Sequence, residues 1–265
     1  MKLTLIITTY NWPESLLLVF KSIQCQTILP DEVIIADDGS TIETKELINN
    51  FKKDSNFNII HSWQEDVGFR ASRSRNKAIY NSSGDYIVLI DGDSILHPQF
   101  IKDHIDRSEP GYFTQGSRVL LSERGTKKTL DKKNIIFSFF SAELNNRKNS
   151  IHSALLSKIF SSKKNHLRGI KSCNMAFYKK DCININGFNN DFEGWGREDS
   201  EFAARLINSG IKRKNIRFNA IQFHLWHNEN SRVLLKTNDI ILSETINNCV
   251  KWCRNGINEM EKNES

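Results

Sequence analysis

An α/β fold with a mostly parallel, Rossmann-like central sheet flanked by helices is predicted by three features of the first 95 or so residues. Short strand-like apolar runs alternate with stretches of helical periodicity. The run Tyr86-Ile87-Val88-Leu89-Ile90 is apolar throughout, as a strand buried on both faces must be. Carboxylates also recur just past strand ends, at Asp37-Asp38, Asp66 and Asp91-Gly92-Asp93, where open α/β sheets bind their ligands.

In chain order, Leu3 to Thr8 reads as the first strand, and Thr9-Tyr10-Asn11-Trp12-Pro13 as a turn into a helix over Glu14 to Ile23. A second strand, Glu32 to Ala36, ends at Asp37-Asp38-Gly39-Ser40 and precedes a helix near Glu43 to Phe51. A third strand, Phe57 to His61, leads through Asp66-Val67-Gly68-Phe69 to a helix over Ala71 to Asn81 and then to the Tyr86 strand. Farther on, Ala220 to Phe223 has strand character, and from Ser231 the chain reads as one helix or two. The apolar positions of that tail are Ile240, Ile241, Leu242, Ile246, Cys249, Val250, Trp252 and Cys253, while Glu259 to Ser265 is polar and expected to fray. The tail is expected to pack on the domain or on a partner.

The 265 residues suffice for one large domain, and no Gly/Ser or Pro linker divides them. No apolar run approaches the roughly 20 residues of a membrane span, and Met1-Lys2-Leu3-Thr4 enters a strand without a signal-peptide pattern. A cytoplasmic location is expected. The five cysteines form no CxxC pair, so reduced thiols are expected, with Cys249 and Cys253 four apart on a helix.

The formal charge of +6 is uneven: residues 118 to 171 hold 13 Lys and Arg against Glu123, Asp131 and Glu143. Between the basic residues lie Ile135 to Phe140 and Ala154 to Leu156, a mixture that suits a peripheral patch on an anionic membrane or a solvated insertion that lends its apolar residues to the core. Nucleic acid is not the expected partner, because no nucleic-acid motif accompanies the charge.

No GxGxxG and no GxxxxGK[ST] occurs, so neither a dinucleotide fingerprint nor a Walker loop explains the strand-end carboxylates. Asp38 is suited to a base or ribose, and Arg70, Arg73 and Arg75 to phosphates that a metal also grips. Asp91 and Asp93 are two like charges whose close approach requires a cation, unless Asp-Gly-Asp is an ordinary turn.

Taken together, Ile6 to Asn11, Glu32 to Ser40, Gly68 to Asn76 and Asp91-Gly92-Asp93 resemble a family 2 glycosyltransferase of the GT-A fold. Gly187-Phe188, Gly194-Trp195-Gly196-Arg197-Glu198-Asp199 and Glu201-Phe202 resemble the acceptor segment of chondroitin-polymerase-like and galactosyltransferase-like members. The resemblance covers roughly residues 3 to 230, leaving the basic middle and the tail unexplained. It implies a catalytic domain over 1–230, with a nucleotide-sugar half (1–95) and an acceptor half (96–230, with the basic insertion at about 118–171), followed by a helical extension over 231–265.

The resemblance also implies roles. Asp38 would read the uracil or ribose of a UDP-sugar, with Thr8, Thr9, Tyr10 and Asp66 lining the nucleoside and Arg75 near the diphosphate. Asp91 and Asp93 correspond to a DxD motif, with Asp93 the direct ligand of Mn²⁺ or Mg²⁺ and Asp91 facing ribose or a metal-bound water, or serving as an alternate ligand. Asp199 would be the base of an inverting transfer to a saccharide or glycolipid of a bacterial surface glycan, such as lipooligosaccharide, capsule or O-antigen. Glu198 would hold the acceptor or orient Asp199, and Trp195 would stack on a sugar. Arg197 stands where relatives often have a second Gly and would bring positive charge to the acceptor. His224, with His227 as the alternate, would complete the metal site. The competing readings are a non-catalytic nucleotide-sugar or glycan binding module, a nucleic-acid-binding protein built on the basic segment, and a sugar nucleotidyltransferase, which would not need the Gly194 to Asp199 motif.

Overall fold

The computed structural model describes residues 1–228 and 231–261. Its elements, in order, are β1 (Leu3–Thr9), α1 (Pro13–Gln24), β2 (Glu32–Asp37), α2 (Ile42–Lys53), β3 (Asn58–Trp63), α3 (Ala71–Tyr80), β4 (Tyr86–Asp91) and β5 (Ser94–Leu96). Then come α4 (Phe100–Arg107), β6 (Tyr112–Gln115), β7 (Ser117–Leu120), α5 (Glu123–Lys132), a 3-10 turn (Arg147–Ser150), α6 (Ala154–Phe160), β8 (Ser162–Lys163) and β9 (Asn174–Tyr178). The chain continues through α7 (Lys179–Asn184), α8 (Glu198–Asn208), β10 (Lys212–Asn215), β11 (Ile221–His224), α9 (Leu235–Asn247) and α10 (Asn258–Glu261).

The first four strands form the parallel run β3-β2-β1-β4, each joined to the next in sequence by a helix, as the alternating pattern predicts. β9 then pairs antiparallel with β4, and β6, β10 and β8 complete an eight-stranded mixed sheet. Residues along β1 alternate between two cores: Leu5 and Ile7 join Leu16, Phe20 and Ile35 on one face, while Ile6 joins Ile34, Leu89, Phe177 and Phe202 on the other. This two-residue period is why the strand is apolar throughout.

Strand order reverses direction between β1 and β4, the place where ligands of such sheets collect. Register sets Thr8 beside Asp91 there. A second, three-stranded sheet, β5-β11-β7, sits at this end and pairs Ser94 with His224.

The tail differs from expectation. It packs on the domain, but α9 stops at Asn247 and Cys249 takes a left-handed conformation (φ 49°), which ends helical pairing. Cys249 and Cys253 are therefore not on one helix, and one is exposed while the other is buried. Ile240, Ile246 and Trp252, expected as packing positions, are exposed. Asn258 to Glu261 is helical rather than frayed, and 262–265 lie outside the described residues. No helix among the described residues is long and apolar enough to cross a membrane.

Candidate functional site

The metal-side cluster is assembled from two distant segments. β4 ends at Asp91, and Gly92 donates its N–H to Thr8 O at 2.8 Å, turning the chain so that Asp93 enters the cleft. The β5–β11 pairing brings His224 within 3.5 Å of Asp93 Oδ1, and His227 Nε2 lies 3.3 Å from Asp93 Oδ2. One ligand atom from each of Asp93, His224 and His227 falls within 4.8 Å of the others. The sequence offered the two histidines as alternatives; both adjoin Asp93, and Asp91 is outside the cluster.

The chemistry of these donors fits a divalent cation. Burial, with Arg118 nearby, pushes His224 down to about 4, so its imidazole is neutral and has a lone pair to offer. His227 Nδ1 donates to Asn228 O at 2.7 Å, which turns the other ring nitrogen, Nε2, toward Asp93. Enclosure in the cleft, together with the neighbouring Asp93, raises the Asp91 carboxyl, and enclosure raises Asp93 as well. These are strained anions that a cation would relieve.

The nucleotide side is built from loops that brace one another. Asp37 accepts from Ser40 N at 2.8 Å and meets His61 Nε2 at 2.8 Å, so it supports the loop rather than facing the cleft. Asp38 is buried; it accepts from Gln64 Nε2 at 2.5 Å and from Arg70 N at 2.7 Å, and burial raises its carboxyl. Just after them, Gly39 (φ 100°) passes so close to Asp66 that an added Cβ would lie 2.5 Å from its Cα. Tyr10 donates its hydroxyl to Asp66 at 3.0 Å and leaves its ring half exposed, with Val67 and Phe69 also exposed on the following loop. Thr9 is buried under this wall.

Arg75, expected near the diphosphate, is held by three protein groups. It is buried, donates from Nε to Thr8 Oγ1 at 3.2 Å, and places its two terminal nitrogens 3.8 Å from Asp91 and 3.2 Å from Glu198. Burial opposes its charge, and the two carboxylates outweigh that effect. One guanidinium thus ties the Asp91 loop to the first turn of α8.

That turn carries Asp199. Burial and the adjacent Glu198 push its carboxyl up to about 7, against the lowering influence of Arg75. The helix N-terminus favours the ionised form, but only in part. A carboxylate poised near neutrality is suited to accept a proton.

The approach to Asp199 is held from behind by α9. Asn238 is buried and donates to Glu193 O at 3.1 Å and Gly196 O at 3.0 Å. Gly194 (φ 69°) packs so that a Cβ would lie 3.1 Å from Leu234. Arg197 adopts φ 78°, a left-handed conformation that Gly takes freely, and its Nε pairs with Asp239 of α9 at 2.5 Å. The charge that the sequence placed beside an acceptor is thus engaged with α9, on a side chain that stays largely exposed. Trp195 remains partly exposed, with the Arg232 guanidinium 5.4 Å from its ring centre.

Sequence reasoning missed Arg118 and Lys171. Arg118, on β7, lies close enough to influence Asp91, Asp93 and His224, and its guanidinium approaches the neutral Cys173 thiol at 3.9 Å. Lys171 is influenced by Arg118 and Asp199, and its backbone is fixed on both sides by Gln115. The basic run around both hid them; only the β4–β9 and β7–β11 pairings bring them to the cleft.

Comparison with known proteins matches the family described as Glycosyl transferase family 2 to residues 4–182, and that described as the N-terminal domain of galactosyltransferase to residues 156–228. Hyaluronan synthase of Pasteurella multocida is 28% identical over 231 residues, covering 81% of this chain and 24% of that protein. Chondroitin synthase of Escherichia coli is 26% identical over 245 residues, covering 84% of this chain and 34% of that protein. The chain thus spans a quarter to a third of the length of these curated relatives. The crystal structure of S. aureus TarS 1–349 in complex with UDP superimposes with a TM-score of 0.64 at 14% identity, covering 99% of this chain and 69% of that one, a likeness of GT-A fold.

Proposed function

The chain belongs to glycosyltransferase family 2, and from that premise we propose that it moves a hexose or N-acetylhexosamine from a UDP-sugar to a saccharide or glycolipid acceptor. The reaction inverts the anomeric centre and requires a divalent cation. The product is part of a bacterial surface glycan such as lipooligosaccharide, capsule or O-antigen, assembled at the inner face of the cytoplasmic membrane. Two relatives that are themselves bacterial glycan synthases, and a fold neighbour solved with UDP, support this setting.

The observation that carries the reading is the Arg75 bridge, because it ties the Asp91 loop, next to the cluster of Asp93, His224 and His227, to the first turn of α8, which carries Asp199. Asp93, His224 and His227 would hold the cation, and Mn²⁺ suits two imidazoles better than Mg²⁺ does. When bound, the cation supplies Lewis-acid neutralisation of the departing UDP. Arg118 adds a fixed positive charge on the same side. Tyr10, Asp38 and Asp66 border the nucleoside. Asp199 removes the proton from the acceptor hydroxyl as that oxygen attacks the anomeric carbon opposite the leaving phosphate. Glu198, held by Arg75, keeps Asp199 oriented and raises its affinity for that proton, while Trp195 lines the acceptor side.

A UDP-release screen over UDP-hexoses and UDP-N-acetylhexosamines tests this, with manganese or chelator and with or without acceptor saccharides. Release that needs both manganese and one UDP-sugar is expected. Turnover of dTDP- or GDP-sugars alone overturns the donor, and full activity in chelator overturns the metal.

A further inference from the structure

We propose that the segment from Asn134 to Phe160 docks this protein on an anionic lipid bilayer. The proposal extends the glycolipid acceptor of the proposed function, and it is tested by binding alone, so that its failure and the failure of the transfer reading can be told apart.

Residues 133–146 form a loop of divided loyalty. Ile135 and Phe137 turn inward against the cluster of Leu18, Val119 and Phe223, with the Phe137 and Phe223 rings 4.8 Å apart. Ile136, between them, must then point out, and it is 78% exposed. A turn closed by Ser141 N to Ser138 O at 3.0 Å carries Phe139 and Phe140 to the surface, edge to face, with Phe140 85% exposed. Asn134 bonds both the N–H and the carbonyl of Ile136, and Ser138 N donates to Ser141 Oγ, so the apolar tips are held out by a built loop.

α6 repeats the arrangement. It is capped by Ser153, whose Oγ accepts from Leu156 N, and its Leu155 and Ile159, four apart on one face, are 69% and 63% exposed. Each set groups water-exposed Phe, Ile or Leu side chains of the kind that marks a contact surface.

Charge selects the occupant. In the chain, Lys127 and Lys133 come just before the first set of tips, and Lys158 and Lys164 lie on α6 and just after it; all four are exposed and have no carboxylate within 4 Å among the described residues. A second copy of the chain would oppose like charges, and a nucleic acid, whose bases can stack on the phenylalanines, would leave the aliphatic Ile136, Leu155 and Ile159 in water. An anionic bilayer satisfies both features, with lysines on the headgroups and aromatic and aliphatic tips below them.

The test is co-sedimentation of the full chain with phosphatidylglycerol vesicles and with phosphatidylcholine vesicles. Binding to phosphatidylglycerol well above phosphatidylcholine is expected, and Phe139→Ser/Phe140→Ser is expected to weaken it about tenfold. Leu155→Ser/Ile159→Ser acts in the same direction, and both variants keep the far-UV spectrum and UDP affinity of the parent. Absence of binding to phosphatidylglycerol, or equal binding by parent and both variants, overturns the proposal. So does self-association in the absence of lipid that Phe139→Ser/Phe140→Ser abolishes.

Discussion

The two walls of the cleft are held in different ways. On the metal side, Asp91 ends a central strand paired on both edges, and His224 is locked by register to Ser94. On the base side, Asp199 follows a loop containing Gly194, Gly196 and Arg197, all at positive φ, and is steadied by side chains reaching across from α9. Backbone pairing fixes the first wall cooperatively; single hydrogen bonds fix the second. On the proposed function, acceptor choice can therefore drift by changes in the 193–197 loop and α9 while the proposed nucleotide wall stays constant.

Three substitutions probe this difference. The largest effect is expected for Asp199→Asn, which keeps the shape and removes the base: kcat falls by about 10² to 10⁴, while UDP affinity holds. In the parent, the group is active when deprotonated and its carboxyl is raised to about 7, so kcat/KM should climb from acid to neutral pH and level off above it. An activity independent of pH between 5.5 and 8 would remove Asp199 from this role.

An intermediate effect is expected for His227→Ala. Loss of one of three donors should weaken manganese by at least about tenfold, read by titrating metal against UDP release, with activity returning at high manganese. Unchanged manganese dependence would reduce the cluster to Asp93 and His224.

The smallest effect is expected for Arg197→Gly. The exposed pair with Asp239 contributes about 0–1 kcal/mol. Glycine relieves a left-handed strain of about 1–2 kcal/mol. Thermal stability should stay level or rise slightly, and the relative rates on neutral and acidic acceptors should not change, since the charge is spent on α9. A shift toward neutral acceptors would restore Arg197 to the acceptor.

A buried pair shows how far the acceptor half depends on contacts invisible in sequence. Arg205 is fully enclosed, bound to both oxygens of Glu201 at 2.7 and 2.8 Å and to Ile185 O at 2.6 Å. In sequence it is one more arginine, four residues after a glutamate. β10, Lys-Arg-Lys-Asn, gives no apolar signal either, and it becomes a strand because the edge of β6 is open to it.

The sequence by itself determined the parallel half of the sheet and the strand-end carboxylates, because apolar period and turn chemistry are local and repeat within a few residues. It also named Asp93, His224, His227 and Asp199, whose motifs are compact. Only the tertiary structure decided that both histidines adjoin Asp93, that Arg75 clasps Asp91 and Glu198, and that Arg197 turns away to Asp239. It also sorted Ile135 and Phe137 inward from Ile136 and Phe140 outward. Each of these depends on pairings between residues far apart in the chain, whose partners are chosen by packing and register rather than by neighbouring residues.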